Sequence, residues 1–490
     1  MEVYPTLNEV KALAREYRLV PVMTREMADM TTPVNVFLNA SRFGEYCFLL
    51  ESAEKAADAG KFSFVGFDPE TVLTYRNGEM TIKTRDGQTT AKEAAPFERV
   101  NEFMAARTMP LIPQMPKFAG GFAGYFGYDT ARYSEPSVKD VPEDDLGLPE
   151  IVLMDCRRII AFEHYKERVT LITHVCADGD VEENYAAAVK VLEEMAETAR
   201  KAYPSREETA SGAYETTSAT DRETFLGNVE KAKEYIRNGD IFQVVISRRL
   251  DIANAPDPFK VYRSLRASEP SPYMYYFALG DTVVVGSSPE KLVSVENGLV
   301  TTNPIAGTIR RGATEAEDAE LERTLLNDEK ERAEHVMLVD LSRNDIGKIC
   351  EFETVVVDKF MEIGRFSRLM HIVSQVSGTL RKDFGLIDVL RAVLPAGTLS
   401  GAPKIRAMQI IDELESAKRG LYGGAIGYIG FNGVMDACIA IRTAVFKGGG
   451  AYVQAGAGIV ADSVPDKEYL ECQNKMSAML MAFEKAVELK

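Results

Sequence analysis

Cysteine is sparse: six residues in 490, Cys47, Cys156, Cys176, Cys350, Cys438 and Cys472, with no Cys-x-x-Cys pair among them. That scatter argues against a disulfide framework and a zinc cage, and the thiols read as reduced packing residues. Positive charge is short as well, with 57 Lys and Arg against 74 Asp and Glu and a net charge of -17. Nucleic acid, which needs clustered cations, is not an expected partner, and an anionic substrate would require locally concentrated positive charge. No run approaches the roughly 20 apolar residues of a membrane span. The opening "MEVYPTLNEVKALAREYRLV" lacks the regions of a signal peptide, so no membrane and a cytoplasmic location are expected. A P-loop and a G-x-G-x-x-G turn are also missing, which removes the commonest nucleotide sites.

What is present is an ordinary globular mix, 46% hydrophobic and 27% charged, in a chain long enough for more than one core. Residues 5–18 look helical, strand-like runs alternate with a short polar helix from Asn35 to Phe67, and prolines 110, 113 and 116 break the chain. The strands "IVLMDCRRIIAFEH" and "RVTLITHVCA" and an Ala/Glu-rich helix near Ala202 close the first part. A polar, Ser/Thr-rich stretch then places the main boundary, giving an N-terminal region over 1–205, a linker or mobile loop over 206–220 and a C-terminal region over 221–490. The next helix, "RETFLGNVEKAKEYIRNGD", stops at Asn238-Gly239, a C-cap signal. One internal echo stands out: "GGFAGYFG" at 120–127 and "GGAIGYIG" at 423–430 share G-G-x-x-G-Y-x-G. Such a pattern suits a strand that another backbone crosses closely, and two copies suggest an old duplication.

Carboxylates carry the first chemical signal. Glu331 and Glu334 share a helical face that continues into Leu338 and Leu341, so it should point inward. A second helix, capped by Ser463 with Pro465 in its first turn, carries Glu468, Glu471 and Lys475 on one face. Two such pairs aimed at one interior would repel by about 4 kcal/mol per contact at 4 Å. Oxygen-only donors suit Mg2+; the plain alternative is two solvated faces with an ordinary Glu471–Lys475 pair. Of the four histidines, His164 and His174 read as structural, and His335 adjoins Glu334 on another helical face. His371 lies in an apolar strand as either a core residue or a proton carrier. For anion binding, "IAIRTAVF" buries Arg442 in a strand, Gln454–Val460 reads as a bare glycine turn, and Ser400, Gly401 and Pro403 open an amphipathic helix.

Together these stretches resemble the chorismate-binding enzymes, most specifically their anthranilate synthase component I branch. "PIAGT", "DEKERAEHVMLVDLSRNDIGK", "HIVSQVSG", "LPAGTLSGAPK", "YGGAIGY", "IAIRTAVF" and "QAGAGIVADSVPDKEYLE" occur in the family's order, with "FLLES" and "GGFAGYFGYD" earlier. The resemblance implies an α+β fold of two antiparallel sheets packed face to face with helices outside. It implies Mg2+ held chiefly by Glu334 and Glu471, with Glu331 and Glu468 in support. Substrate carboxylates would meet Gly307, Thr308, Tyr422, Arg442, Gly456, Ala457, Gly458 and Lys475, and Glu290, His371 and Thr398 would complete the reacting centre. In the tryptophan-regulated members, the positions of Leu50, Glu51, Ser52, Pro272, Tyr273 and Met274 form the feedback site; Glu269 replaces the usual Asn nearby.

The activity this implies is a lyase reaction that makes anthranilate and pyruvate from chorismate and ammonia, the first step toward tryptophan. His371 is expected to assist loss of the ring hydroxyl, and Glu290 or a neighbouring base to move the ammonia proton. Aminodeoxychorismate synthases of the family carry a lysine where this chain has Ala306, and isochorismate synthases a lysine where it has Gln243. The chain has no Gly-x-Cys-x-Gly turn with a downstream His-x-Glu, so a glutamine amidotransferase subunit is the expected ammonia source, in a heteromer. The alternatives are an aminodeoxychorismate synthase component I and a catalytically silent, tryptophan-binding regulator.

Overall fold

The structure is a computed structural model describing residues 1–52, 62–139, 141–202, 214–366 and 369–489. It contains two twelve-stranded sheets built from antiparallel pairs. In the first, Leu19–Met27, Arg168–Cys176, Ile159–Glu163, Phe62–Phe67 and Tyr46–Glu51 lead to a seam. Beyond it come Tyr273–Leu279, Thr282–Ser288, Thr443–Lys447, Gly450–Ile459, Gln243–Ala253 and Glu215–Ser218. The second sheet runs from Ile305–Arg310 through Leu369–Thr379, Leu299–Thr302, Lys291–Glu296 and Met435–Ile439 to Ala425–Gly430. Across its own seam follow Gly121–Phe126, Ile151–Cys156, Thr71–Arg76, Glu79–Thr84 and Gly87–Lys92. Both sequence regions therefore contribute to both sheets. Most of the polar stretch between those regions lies outside the described residues, and its last part, Glu215–Ser218, is an edge strand.

The largest apolar core fills the space between the sheets, where Phe64 of the first meets Tyr428 of the second at 5.9 Å and Phe118 stacks on Tyr428 at 4.4 Å. A second core lies between the first sheet and the helices Pro33–Ala40, Val181–Arg200, Pro258–Ser268 and Pro465–Glu488. On the second sheet, Phe97 of the Pro96–Ala105 helix stacks on Phe126. The layers are thus helix, sheet, sheet, helix, as expected. The helix expected over 5–18 is shorter, Leu7–Leu13, and opens on a Thr6/Glu9 capping box. Arg222–Arg237 forms as expected, capped by Asp221 and ended at Gly239 with φ +83°. All six cysteines are free. Among the described residues no helix is long and apolar enough to cross a membrane.

The two echo segments are neighbours. Gly121–Phe126 and Ala425–Gly430 pair across the second seam with Gly124 opposite Gly427. A Cβ on Gly121 would lie 2.2 Å from the Ile429 carbonyl, and one on Gly424 equally 2.2 Å from that of Phe126. That reciprocity is what a twofold between the halves requires. From Leu19–Met27 to Val181–Arg200, the strands recur in the same chain order from Gln243–Ala253 to Pro465–Glu488. A further sequence echo, overlooked in the sequence reading, accompanies the third and fourth strands. "VGFDPETVLTYRNG" (65–78) and "VGSSPEKLVSVENG" (285–298) share V-G-x-x-P-E and a closing N-G. Both turns take positive φ, Asn77 at 49° and Asn297 at 52°. The second half differs by its insertions, chiefly Ile305–Arg310 with the helices Glu315–Asn327 and Glu329–Gly347, and Gly397–Leu399 with Lys404–Leu414.

Candidate active site

Those insertions meet the strands Gln243–Ala253 and Gly450–Ile459 and the Pro465–Glu488 helix to form a cleft. Asp328 caps the Glu329–Gly347 helix, accepting from the N–H groups of Lys330 and Glu331 at 2.9 and 3.1 Å, which fixes the first turn. Glu331 lies behind Gly307, where φ is +69° and a Cβ would stand 3.2 Å from its Oε2. Glu334, one turn on, accepts from Gln243 Nε2 at 3.3 Å. In the facing helix the N-cap is Val464 rather than Ser463. Ser463 instead accepts from the N–H of Val460 at 3.1 Å, closing the preceding turn. Lys330 and Asp462 pair at 3.4 Å and draw the two helices together.

Burial, then the neighbouring charge of Glu334, holds the Glu331 carboxyl above its usual value. Burial also raises Glu468, opposed by Ser463 and reinforced by Glu471. Glu471 pairs with Lys475 at 2.6 Å. Among the described residues no three acidic, His or Cys side chains close into a preformed metal cage. The arrangement is a pair of carboxylate faces that repel across a gap. That donor set fits a hard cation completing its shell with substrate oxygens and water.

Two expectations about local structure change. Gln454–Val460 is not a turn: Gly450–Ile459 is a strand paired with Gln243–Ala253. Its glycines are there for close neighbours, since a Cβ on Gly456 would meet the Tyr422 hydroxyl at 2.9 Å and one on Gly458 the Gln243 amide at 2.5 Å. Ala457, on the opposite face, is fully buried with Phe225, Ile246 and Cys472, so only its backbone is available to the cleft. Arg442 is not inside a strand either. It sits at the corner where Met435–Ile439 of one sheet passes to Thr443–Lys447 of the other, with φ +52°.

At that corner Arg442 Nη1 donates to the Lys475 carbonyl at 2.9 Å and makes no ion pair among the described residues. Burial lowers its pKa, as for a cation awaiting a partner. Its counterpart in the first half, Arg158, is paired with Asp68 at 3.0 Å, where the second half has Ser288. Lys475 Nζ donates to Gly456 O at 2.9 Å beside its bond to Glu471. Burial pushes Glu290 up to about 7, against the Thr398 hydroxyl and the Lys475 charge, which pull it down. Thr398 Oγ1 is otherwise buried without a partner.

His371 lies in Leu369–Thr379 opposite Thr308. Its Nδ1 is 2.9 Å from the Gly307 carbonyl and 3.1 Å from Thr308 Oγ1. A carbonyl only accepts, so Nδ1 carries the proton and Nε2 is the bare acceptor. Phe366 packs edge-on at 5.3 Å, and burial lowers the His371 pKa. Ala306 stands opposite Ile372, just before the Gly307 bulge. His335 is fully buried and shares a 2.6 Å hydrogen bond with Ser374, pinning the carboxylate helix to the His371 strand. His164 bonds Ser63 Oγ and His174 the Arg157 carbonyl, both outside the cleft. Ser400 bonds the Ala396 carbonyl, and the helix after Pro403 starts on Lys404, whose amine pairs with Asp345 at 2.6 Å.

The residues expected to form a feedback site meet at the seam of the first sheet, with Met274 opposite Glu51 and Tyr275 opposite Leu50. Glu51 accepts from Tyr262 Oη and from Arg266 Nε at 2.8 Å. Tyr273 donates to Asp436 at 2.9 Å, beside Pro272, and Ser52 Oγ is buried with no partner among the described residues. Sequence reading missed the group behind the cleft, Arg419, Glu415, Ser247 and Tyr128. An arginine inside the Gly/Tyr-rich "RGLYGG" was its only signal.

The profile of the chorismate binding enzyme family matches residues 45–481. Anthranilate synthase component 1 of Acetivibrio thermocellus is 48% identical over 499 residues, covering 99% of this chain and 100% of that protein. The protein of the same name from Aquifex aeolicus is 42% identical over 495 residues, covering 100% and 99%. The crystal structure of anthranilate synthase component I from Streptococcus pneumoniae superposes with a TM-score of 0.76 at 38% identity, covering 93% of this chain and 99% of that one. The menaquinone-specific isochorismate synthase MenF of Escherichia coli, 19% identical with a TM-score of 0.70, shares the fold.

Proposed function

The chain belongs to the chorismate binding enzymes, and we propose that it is the large subunit of an anthranilate synthase, making anthranilate and pyruvate from chorismate and ammonia. The observation that carries this reading is the end-to-end match to proteins named anthranilate synthase component 1. The cleft agrees with it: the positions at which relatives place an amine hold a methyl group, Ala306, and an amide, Gln243.

In the reaction, ammonia adds at C2 of chorismate and gives up a proton, both ring double bonds shift, and the 4-hydroxyl takes up a proton and leaves as water. Loss of the C2 proton then expels the enolpyruvyl group as pyruvate and makes the ring aromatic. Arg442, half-buried and without an ion pair among the described residues, suits a carboxylate, with Lys475, Tyr422 and the backbone of Gly456 to Gly458 around it. Gly307 and Thr308 form the opposite lip beside His371. Glu334 and Glu471 would hold Mg2+ against the ring carboxylate, with Glu331 and Glu468 supporting. When bound, the ion draws electron density from the ring carboxylate and stabilises charge growing in the transition state.

The proton roles are better divided differently from the sequence-based expectation, with Glu290 in place of His371 at the departing hydroxyl. Glu290, at about 7, still carries a proton near neutral pH and suits the acid that protonates the departing hydroxyl. His371 is neutral there with Nε2 bare, which suits the base that takes the C2 proton. The component 1 names of the relatives imply a second component, and a glutamine amidotransferase is the partner whose chemistry fits. Tryptophan lodged at the seam beside Ser52 and Met274 is the proposed feedback ligand.

Purified alone, the chain should form fluorescent anthranilate from chorismate, Mg2+ and ammonium, but not from glutamine. Tryptophan should suppress that signal. Turnover of glutamine by the isolated chain would sink the missing-subunit reading, and no product with ammonium would sink the assignment itself.

A further inference from the structure

Behind the cleft wall lies a buried arginine whose guanidinium stands over the ring of Tyr422, one of the proposed substrate positions. Arg419 is 3% exposed, and its charge is met by Glu415 through Nε at 2.8 Å and Nη2 at 2.6 Å. Its remaining donors reach outward: Nη1 to the Leu399 carbonyl at 2.6 Å and Nη2 to the Val245 carbonyl at 2.7 Å. Its plane stands over two rings, Tyr128 at 4.7 Å and Tyr422 at 5.7 Å. Glu415 is itself held by the N–H and hydroxyl of Ser247, at 2.7 and 2.9 Å.

Each of these partners neighbours a residue of the cleft. Leu399 follows Thr398, Val245 is two residues from Gln243 on the same side of one strand, and Tyr422 faces Gly456. Three separate chain segments are thereby referred to one planar, multidentate group, which fixes direction as well as distance. The fourth contact comes from the other half of the molecule. Tyr128 is 1% exposed and its hydroxyl has no partner among the described residues, so its ring is the part that is used. Its segment is clamped to the Arg419 turn by Tyr128 N–H to Gly420 O at 2.8 Å and by Gly420 N–H to Asp129 Oδ2 at 2.9 Å.

We propose that Arg419 is a positioning residue for the substrate cleft and that Tyr128 completes it from the N-terminal half. The proposal rests on the cleft being the chorismate site. A buried ion pair kept only for stability could be replaced by apolar packing at little cost; one that aims three cleft segments cannot.

The test compares Tyr128→Leu, Tyr128→Phe and Arg419→Lys with the unaltered chain in the ammonium assay. Folded fraction is measured by circular dichroism at the assay temperature. Anthranilate formation by the unaltered chain checks the site reading first and separately. Tyr128→Leu and Arg419→Lys should lower kcat/KM for chorismate on the order of tenfold to a hundredfold, as small misplacements do. KM for ammonium should stay within about twofold, and Tyr128→Phe, which keeps the ring, should restore the constants. Unchanged chorismate constants in folded Tyr128→Leu, or losses that track only the folded fraction, would overturn the proposal. If Arg419→Lys does not fold, Tyr128→Leu decides alone.

Discussion

Burial moves Glu290 up to about 7 and His371 down from its usual value, so the two groups define a pH window between them. With Glu290 as acid and His371 as base, kcat should fall above about 7 as Glu290 loses its proton. It should fall again on the acid side, below the ordinary histidine range, as His371 gains one. Glu290→Gln should lower kcat by about 10² to 10⁴ and remove the alkaline limb; an alkaline limb that stays in place would assign it to another group. Ala306 makes a complementary prediction. Ala306→Lys puts an amine one residue from the Gly307 bulge, opposite Ile372. It should cut ammonia-dependent turnover, and mass spectrometry should find a covalent substrate adduct on that lysine. Turnover equal to that of the unaltered chain would remove Ala306 from the account. These residues were legible because the family resemblance carries them one by one. Their protonation was not, since it depends on a burial and a carbonyl that only the fold supplies.

Among the elements, carboxylate helices were readable from sequence because three- and four-residue spacing fixes a face whatever the helix packs against. Small residues carry no such certainty. "QAGAGIV" suits a turn and a crowded strand equally, and the Tyr422 hydroxyl and Gln243 amide that decide the matter come from distant parts of the chain. Gly458→Ala should accordingly displace the Gln243 amide and loosen its 3.3 Å bond to Glu334. The expected readout is a raised KM for chorismate with little change in melting temperature. The twofold makes a sharper demand on paired strands. A Cβ on Gly66 would enter the Phe48 ring at 2.1 Å, and one on its counterpart Gly286 the Tyr275 ring at 2.3 Å. Gly66→Ala and Gly286→Ala should each destabilise by about 1 to 3 kcal/mol in denaturant unfolding, the usual cost of overpacking. Widely different values would show that the two positions are not equivalent.

At the scale of the whole molecule, the polar stretch near residue 205 looked like a border between domains. The sheets ignore that border, because the first half supplies five strands and the second half seven to each of them, joined at the seam. Only the G-G-x-x-G-Y-x-G echo hinted at this, and pairing between strands some 300 residues apart leaves no local periodicity to read. Residues 1–202 and 203–490 expressed separately should therefore each expose two open sheet edges and aggregate. Expressed together they should associate and make anthranilate with ammonium, whereas a soluble, active 203–490 fragment would contradict the shared-sheet architecture.

The two seams also differ in what they ask of a hybrid protein. Across the second, the halves pair backbone to backbone with Gly124 on Gly427, and Phe118 and Phe122 of one half pack on Tyr428 and Phe431 of the other. At the first, Glu51 of one half is gripped by Tyr262 and Arg266 of the other. A chimera taking its halves from different relatives would need only apolar rings of similar size at the glycine seam beyond the Tyr128–Arg419 contact, while Glu51, Tyr262 and Arg266 would have to travel from a single parent.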